Sequence, residues 1–260
     1  MGPDLLRDVG TGHNIVATVF VQCHYGHRTS GPEHLRPVGE TERVESARKE
    51  MADVRPGIRQ SVARSRHFPK GIVLRPAPAD MLSDCRFEKS LRQIAKRGLR
   101  LDAMLYHEQL PELTALAGRV DTRVILDHVG CPLGVGPYEG TERETFAHWR
   151  RDIEALSKCR NVFLKFGGFG MIVTGAAYHL GPTPPTSEQL AQRWRPYFDV
   201  CMDSFGADRC MFESNFPVDK AMYSYEVLWN SFKRLCRHAS ESEKADLFKC
   251  TAERAYRLSV

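Results

Sequence analysis

The chain has 260 residues, which is enough for one large domain or two small ones with a sizeable buried core. Its 37 lysines and arginines stand against 32 aspartates and glutamates, a net charge of +5, but the two signs are interleaved along the sequence. This arrangement excludes the basic stripe by which proteins hold nucleic acid, whereas a small anionic substrate would suit the charge balance.

Cysteines and apolar runs indicate the compartment. The eight cysteines are scattered without a CxxC pair, which favours free thiols in a reducing compartment over a disulfide framework or a zinc knuckle. No apolar run reaches the ~18 residues of a membrane span, and the first residues lack an apolar signal segment. We therefore expect a cytoplasmic protein with neither a membrane nor a nucleic acid as partner.

In chain order, short apolar segments alternate with longer amphipathic helices. A helix ending near Val9 precedes the first apolar segment, and a charged helix over residues 41–52 precedes the second. Further on, Ser83 is a predicted N-cap, and Thr141 with Glu144 predicts a capping box. Each apolar segment runs into a polar or glycine-containing loop, and the six predicted strands lie near residues 15–21, 57–61, 101–106, 124–127, 162–166 and 209–212.

Residue types suited to chemistry stand at the carboxyl ends of these strands. Strands that alternate with helices predict a parallel sheet with the helices outside it. In a (β/α)8 barrel the carboxyl ends of the strands converge on one mouth, whereas a doubly wound open sheet, the alternative, would place the same residues along a crevice. The candidates for chemistry are Arg59, His107, His128, Lys165, Asn215 and Asp219.

The sequence lacks the short motifs of several other enzyme classes. No GxGxxG follows the first strand and no Walker A lysine loop occurs, which weakens any hypothesis of nucleotide binding. No GxSxG elbow is present, so a serine nucleophile of the α/β-hydrolase type has no support.

Four longer segments together carry a specific resemblance to a known family. They are LYHEQLPEL at residues 105–113, VILDHVGCPLG at 124–134, NVFLKFGGFGM at 161–171 and GADRCMFESNFPVDK at 206–220. With them the chain resembles the amidohydrolase-related branch of the metal-dependent hydrolase superfamily, (β/α)8 proteins that include lactonases. The resemblance implies one barrel domain over residues 1–260 that hydrolyses lactones, esters or amides, with a divalent metal such as zinc as the family's cofactor.

Three departures from the family pattern affect what can be carried over. His128 occupies the position of the sixth-strand histidine, but the eighth-strand acid falls at Asn215, so Asp219, preferred over Glu213, is the nearest ionisable substitute. The HxH pair that normally supplies two metal ligands is absent, which leaves the metal ligands unknown. Only six strands are recognisable where a closed barrel needs eight, so we expect an incomplete barrel without the first strand and one further early strand.

Two hypotheses of function follow. The first is a hydrolase of a cyclic ester or related carbonyl substrate, in which His128 polarises the carbonyl group or relays protons and Asp219 or Asn215 positions the attacking water. The second is a truncated, inactive family member that acts as a binding or interaction module or is an unstable splice product, with a homo-oligomer as an intermediate case. In the first hypothesis the residues expected to bind an anionic substrate or to line the mouth are Arg59, Tyr106, His107, Tyr138 and Lys165.

Overall fold

A computed structural model of the chain describes residues 2–21, 26–32, 36, 38–54, 59–62 and 80–258. The chain divides into two compact units, Met1–Arg66 with Leu258–Val260 and His67–Arg257. We call them the N-terminal unit and the main unit. Among the helices of the described ranges, none is both long and apolar enough to cross a membrane.

The described residues of the N-terminal unit form two parallel strands and two helices. Strand β1 pairs with β2 in parallel, with Ala17 opposite Arg59 and Phe20 opposite Val62. Val9, Val44 and Ala47 supply buried apolar side chains. The described elements are α1 (Gly2–Val9), β1 (Ala17–Phe20), α2 (Val38–Val54) and β2 (Arg59–Val62).

The main unit alternates strands and helices along the chain. A π-helical turn at Asp246–Cys250 joins its last two helices. In order, the elements are α3 (Cys85–Lys96), β3 (Leu101–Ala103), α4 (Leu110–Ala117), β4 (Val124–Leu126), α5 (Glu142–Leu156), β5 (Val162–Phe166), α6 (Ser187–Phe205), β6 (Cys210–Phe212), α7 (Tyr225–Leu235), α8 (Glu241–Ala245) and α9 (Thr251–Tyr256).

The four strands that the structure describes in the main unit form one parallel sheet in the order β3-β4-β5-β6. Almost every residue of these strands is buried, because a parallel sheet that is covered on both faces is made of continuous apolar segments. Aromatic side chains of the helices pack on the sheet; Phe232 of α7, for example, stacks on Phe212 of β6 at 4.4 Å between ring centroids. Consecutive strands are neighbours throughout this sheet, which agrees with a barrel. In a doubly wound sheet the order of the strands reverses at the switch point.

The parallel α/β organisation and all six predicted strands are confirmed. The predicted N-cap of α3 and the predicted capping box of α5 are wrong, although α5 does begin after Thr141. Asp84, not Ser83, is the N-cap of α3, because its carboxylate accepts the Arg86 amide. The side chain of Thr141 makes no capping hydrogen bond at the start of α5. The predicted incompleteness of the barrel stays a prediction, because strands outside the described residues do not enter this count.

Candidate active site

The end of β4 presents His128 on a left-handed turn. The chain leaves β4 through Asp127, and the backbone φ angles of His128, Val129 and Cys131 are 54°, 49° and 42°. Residues other than glycine rarely adopt this region, and for a β-branched valine the conformation is strained. Such strain is concentrated at functional sites, and here it fixes the direction in which the imidazole leaves the sheet.

Glu213, the first residue after β6, contacts the imidazole although β6 lies two strands away from β4 in the sheet. One oxygen of its carboxylate, Oε1, lies 2.6 Å from His128 Nδ1 and also accepts the backbone N–H of His128 at 2.9 Å. The two side chains are 11% and 14% exposed. With Nδ1 occupied in this way, Nε2 is the imidazole atom that remains for a substrate.

The contact changes the acid–base properties of both partners. Burial alone would lower the pKa of His128, but the carboxylate of Glu213 outweighs burial and the pKa is raised. Burial likewise opposes ionisation of Glu213, yet His128 and then Lys165 hold its pKa below the ordinary value. Each partner thus favours the charged form of the other, the imidazolium for His128 and the carboxylate for Glu213.

Lys165 of β5 lies behind this pair among carboxylates. Its ammonium is 2.9 Å from Asp102 of β3, 2.7 Å from Asp127 and 3.9 Å from the second oxygen of Glu213. Burial disfavours the charged ammonium, but Asp102 and Asp127 outweigh burial and hold the pKa of Lys165 well above its ordinary value. The described strands of the main unit thus each contribute one ionisable group, within or directly after the strand, to a buried cluster.

Asp219 forms a second, fully buried acidic centre on the loop after β6. Its carboxylate accepts hydrogen bonds from the Tyr223 hydroxyl at 2.6 Å, from Asn215 Nδ2 at 2.8 Å and from the Gly170 amide at 3.1 Å. Burial raises the pKa of Asp219 to about 6, although these donors and the nearby His128 act in the opposite direction. A carboxylate has about four lone-pair directions, so these three donors leave one of them unused.

Asn215 occupies the position at which the family pattern has an acid, and its surroundings favour an amide there. Its backbone is left-handed, with φ of 50°, a conformation that asparagine tolerates better than most residues. Its Nδ2 donates to Asp219, whose backbone N–H in turn donates to the Asn215 carbonyl at 3.1 Å. An aspartate at 215 would bring two carboxylates to hydrogen-bond distance, so Asn215 and Asp219 are chemically matched.

Three glycines after β5 let the backbone pass close to these side chains. A Cβ on Gly167 would lie 2.4 Å from the Glu213 carbonyl oxygen, one on Gly168 would lie 2.5 Å from His128 Nδ1, and one on Gly170 would lie 2.8 Å from the Asp219 carboxyl carbon. Each glycine therefore makes room for a different member of the site.

Alanine at Gly168 is expected to destabilise the protein and to displace the imidazole. The residue has φ of +73°, which costs about 1–2 kcal/mol for a side-chain-bearing residue, and the new methyl group would also collide with His128. Gly140→Ala is the matched control, because Gly140 has φ of +77° with nothing within 4 Å of its virtual Cβ. Urea unfolding should show the larger loss for Gly168→Ala; equal losses would contradict the collision.

One side of the site is walled by aromatic rings. His107 is buried and stands edge-on to Tyr138 at 5.2 Å between ring centroids, and its Nδ1 accepts the Leu133 amide at 3.3 Å. Tyr106 and Tyr138 pack against the buried Cys131, the residue that ends the His128 turn. Burial, followed by Asp219 and Glu213, raises the pKa of the Cys131 thiol to about 12, so this cysteine is unreactive.

The donor set of the described residues does not fit a divalent metal. Zinc in a catalytic site takes about three protein ligands, usually His, Cys, Asp or Glu. Within the part of the chain that the structure describes, no group of three such side chains is arranged to hold a metal ion. The histidine with the most suitable position, His128, already has its Nδ1 engaged by Glu213.

The structure unites most of the residues that the sequence singled out. His128 lies within electrostatic reach of both Asp219 and Lys165. Arg59 begins β2 in the N-terminal unit, and its side chain lies outside the described residues. The sequence did not indicate a role for four buried polar residues, which are Asp102, Asp127, Tyr223 and Tyr256. A signal was available for Asp102, because an aspartate inside an apolar strand indicates a buried ion pair.

Comparison with known proteins identifies the class. The amidohydrolase family profile matches residues 33–258. An amidohydrolase from Burkholderia multivorans, whose crystal structure has bound Zn, shares the fold with a TM-score of 0.72, at 22% identity and with 99% of this chain and 88% of that chain covered. The main unit's parallel sheet is therefore of the kind found in amidohydrolase TIM-barrel proteins.

The chain belongs to the amidohydrolase family, within the metal-dependent hydrolase superfamily. It is 34% identical over 204 residues to the uncharacterized protein y4mH of Sinorhizobium fredii, covering 78% of this chain and 61% of that protein. It is 26% identical over 179 residues to L-fucono-1,5-lactonase of Burkholderia multivorans, covering 68% of this chain and 57% of that protein. The chain thus spans about three fifths of the length of these two relatives, the second of which makes it a distant homologue of a lactonase.

Proposed function

We propose that this chain hydrolyses a cyclic ester. The observation that carries the proposal is the His128–Glu213 pair, which lies at the carboxyl end of the sheet within electrostatic reach of the buried carboxylate of Asp219. An acid and a base with separated roles beside one another are what ester hydrolysis needs. Membership of the amidohydrolase family and the distant likeness to L-fucono-1,5-lactonase support the same reaction class.

In the proposed reaction, water attacks the carbonyl carbon while Asp219 accepts the proton that water loses. The imidazolium of His128 donates a hydrogen bond from Nε2 to the carbonyl oxygen and then gives its proton to the ring oxygen as the ring C–O bond breaks. The product is a hydroxy acid, and passage of the proton from Asp219 to the neutral imidazole of His128, through water, restores the carboxylate and the imidazolium. Glu213 keeps the imidazole oriented throughout and stabilises its charged form before the proton is given up.

The other predicted residues take narrower roles in this proposal. Tyr106, His107 and Tyr138 form the wall against which the substrate ring packs. Because its ammonium is buried and already lies among carboxylates, Lys165 is proposed as an internal counter-ion rather than as an anion clamp. Binding of a carboxylate by Arg59 stays a prediction.

The pH dependence of kcat/KM is expected to be bell-shaped. Activity falls as the pH drops through the pKa of Asp219, about 6, because the protonated acid cannot accept a proton from water. It also falls as the pH rises through the raised pKa of His128, above the ordinary 6.5, because the imidazolium is lost. Tyr223→Phe removes a hydrogen-bond donor that favours the Asp219 carboxylate. The acid limb of the profile should therefore move to higher pH while the alkaline limb stays in place. Movement of both limbs together would contradict these assignments.

A panel of lactones tests the function directly. The purified chain is assayed on sugar lactones, simple aliphatic lactones and a lactone that carries a carboxylate, with metal content measured on the same sample. Turnover of at least one ring class, lost in His128→Asn, supports the proposal. A folded protein that turns over no member of the panel, with or without added Zn²⁺, would overturn it in favour of a binding or interaction module.

A further inference from the structure

Lys165 reaches both carboxylates that flank the active-site histidine. Asp127 immediately precedes His128 in the chain, and Glu213 holds the imidazole from β6. The ammonium lies 2.7 Å from the first and 3.9 Å from the second. The ammonium attracts both carboxylates, which fixes their orientation, and it offsets part of their negative charge at the imidazole.

We propose that Lys165 is a positioning residue that acts through Glu213 and Asp127, and that the buried cluster behind the site sets the charge and orientation of His128. This inference rests on the proposed function and deepens it. Lys165 itself touches no substrate, because its side chain is only 6% exposed and its ammonium is surrounded by carboxylates.

The cluster is anchored at its far end by the last helix. Asp102 lies 2.9 Å from the Lys165 ammonium, and its Oδ1 also accepts a hydrogen bond from the hydroxyl of Tyr256 on α9. The ammonium stands 5.6 Å from the centroid of the Tyr256 ring, a cation–π distance. Asp102 therefore shares the Lys165 ammonium with Asp127 and Glu213. The charge of Asp102 consequently changes how strongly the charge of Lys165 acts on His128.

Among the described residues, the charged groups that act on His128 come from the neighbouring strands and the segments that follow them. Glu213 and Asp219 follow β6, Asp127 ends β4, and Lys165 belongs to β5. The carboxylates favour the imidazolium and the ammonium opposes it. Removing the ammonium or the remote Asp102 carboxylate should therefore shift the imidazole titration in opposite directions, which loosened packing alone would not do.

The experiment measures the titration of His128 by NMR in protein labelled with ¹⁵N and ¹³C in histidine. The His128 signal is assigned by its loss in His128→Asn. Lys165→Met is expected to raise the pKa of His128 by about one unit, and Asp102→Asn to lower it by several tenths. Asparagine keeps an oxygen for Tyr256 and Lys165, so this second variant tests the proposal even where Lys165→Met fails to fold.

Arg209→Met is the matched control. Arg209 is also a buried cation, but its guanidinium donates to the carbonyls of Ser157 and Cys159. Its loss should leave the His128 titration unchanged. Shifts of one sign in both cluster variants, or shifts no larger than in Arg209→Met, would overturn the proposal.

Kinetics give a second readout where the chain is active. The alkaline limb of kcat should follow the His128 titration in each variant while KM stays unchanged. The NMR titration does not depend on turnover, so a failure of the lactone panel and a failure of this inference are separate results.

Discussion

Replacing His128 with asparagine is expected to lower kcat/KM for any hydrolysed lactone by about 10²–10⁴-fold, the range that general acid–base groups contribute. The amide cannot carry the proton that the imidazolium gives to the departing ring oxygen. Asparagine is the right replacement, because φ at this position is 54° and asparagine tolerates the left-handed region. The backbone turn should therefore survive, and the loss should be chemical rather than structural.

Steady-state kinetics with circular dichroism on the same samples measure this effect. His238→Asn is the matched control, since His238 is exposed, follows α7 and contacts none of the proposed site residues. The control should retain wild-type kcat/KM. Activity that survives His128→Asn, or that is lost equally in both variants, would remove His128 from the role of acid.

Comparison of Glu213→Gln with Asp219→Asn would separate two acids that the sequence treated as alternatives for one role. The sequence favours Asp219 for this role, because Glu213 directly follows a buried strand, where a structural part is expected of it. In the structure Glu213 contacts the imidazole, while Asp219 is held by Asn215, Tyr223 and Gly170. The sequence could not assign the imidazole contact to one acid and the buried hydrogen-bonded position to the other. Both positions depend on how the loop after β6 folds back on the glycines after β5.

The strands were predictable because each is a short apolar run that ends in polar or glycine residues, and this pattern does not depend on distant contacts. The same pattern located His128 at the end of β4. The partners of Lys165 were not predictable in the same way. Asp102, Asp127 and Glu213 converge on one ammonium only through the register of four parallel strands, which pairs Asp102 with Ile125 and Lys165 with Met211. Composition and periodicity do not fix that register.

Capping shows a similar limit at short range. Thr141 with Glu144 has the capping-box sequence, yet Thr141 makes no capping bond; its hydroxyl donates to the Tyr138 carbonyl instead. At the start of α6 the box does form, between Thr186 and Gln189. A threonine hydroxyl has several backbone partners within reach, so the loop before the helix decides which one it takes.

Alanine at Trp149 is expected to cost about 3–5 kcal/mol in the free energy of unfolding, the range for deleting a large buried aromatic side chain. Trp149 of α5 is 0% exposed, and its ring packs against Phe146 and Tyr197. Its Nε1 also donates to the carbonyl of Val129 at 2.7 Å. Helix α5 is thereby fastened to the left-handed turn that presents His128.

Trp149→Phe separates the packing from this hydrogen bond. Phenylalanine keeps most of the buried apolar surface but leaves the Val129 carbonyl without its donor, a cost of about 1–3 kcal/mol for a buried group. Urea unfolding measures both variants. Because the lost hydrogen bond holds the His128 turn, kcat should also fall in Trp149→Phe. Phe146→Leu is the control, since it changes packing on the same helix without removing the donor to that carbonyl. This control should lose stability and keep the wild-type kcat. If kcat simply follows stability across all three variants, the turn does not depend on Trp149 for its position.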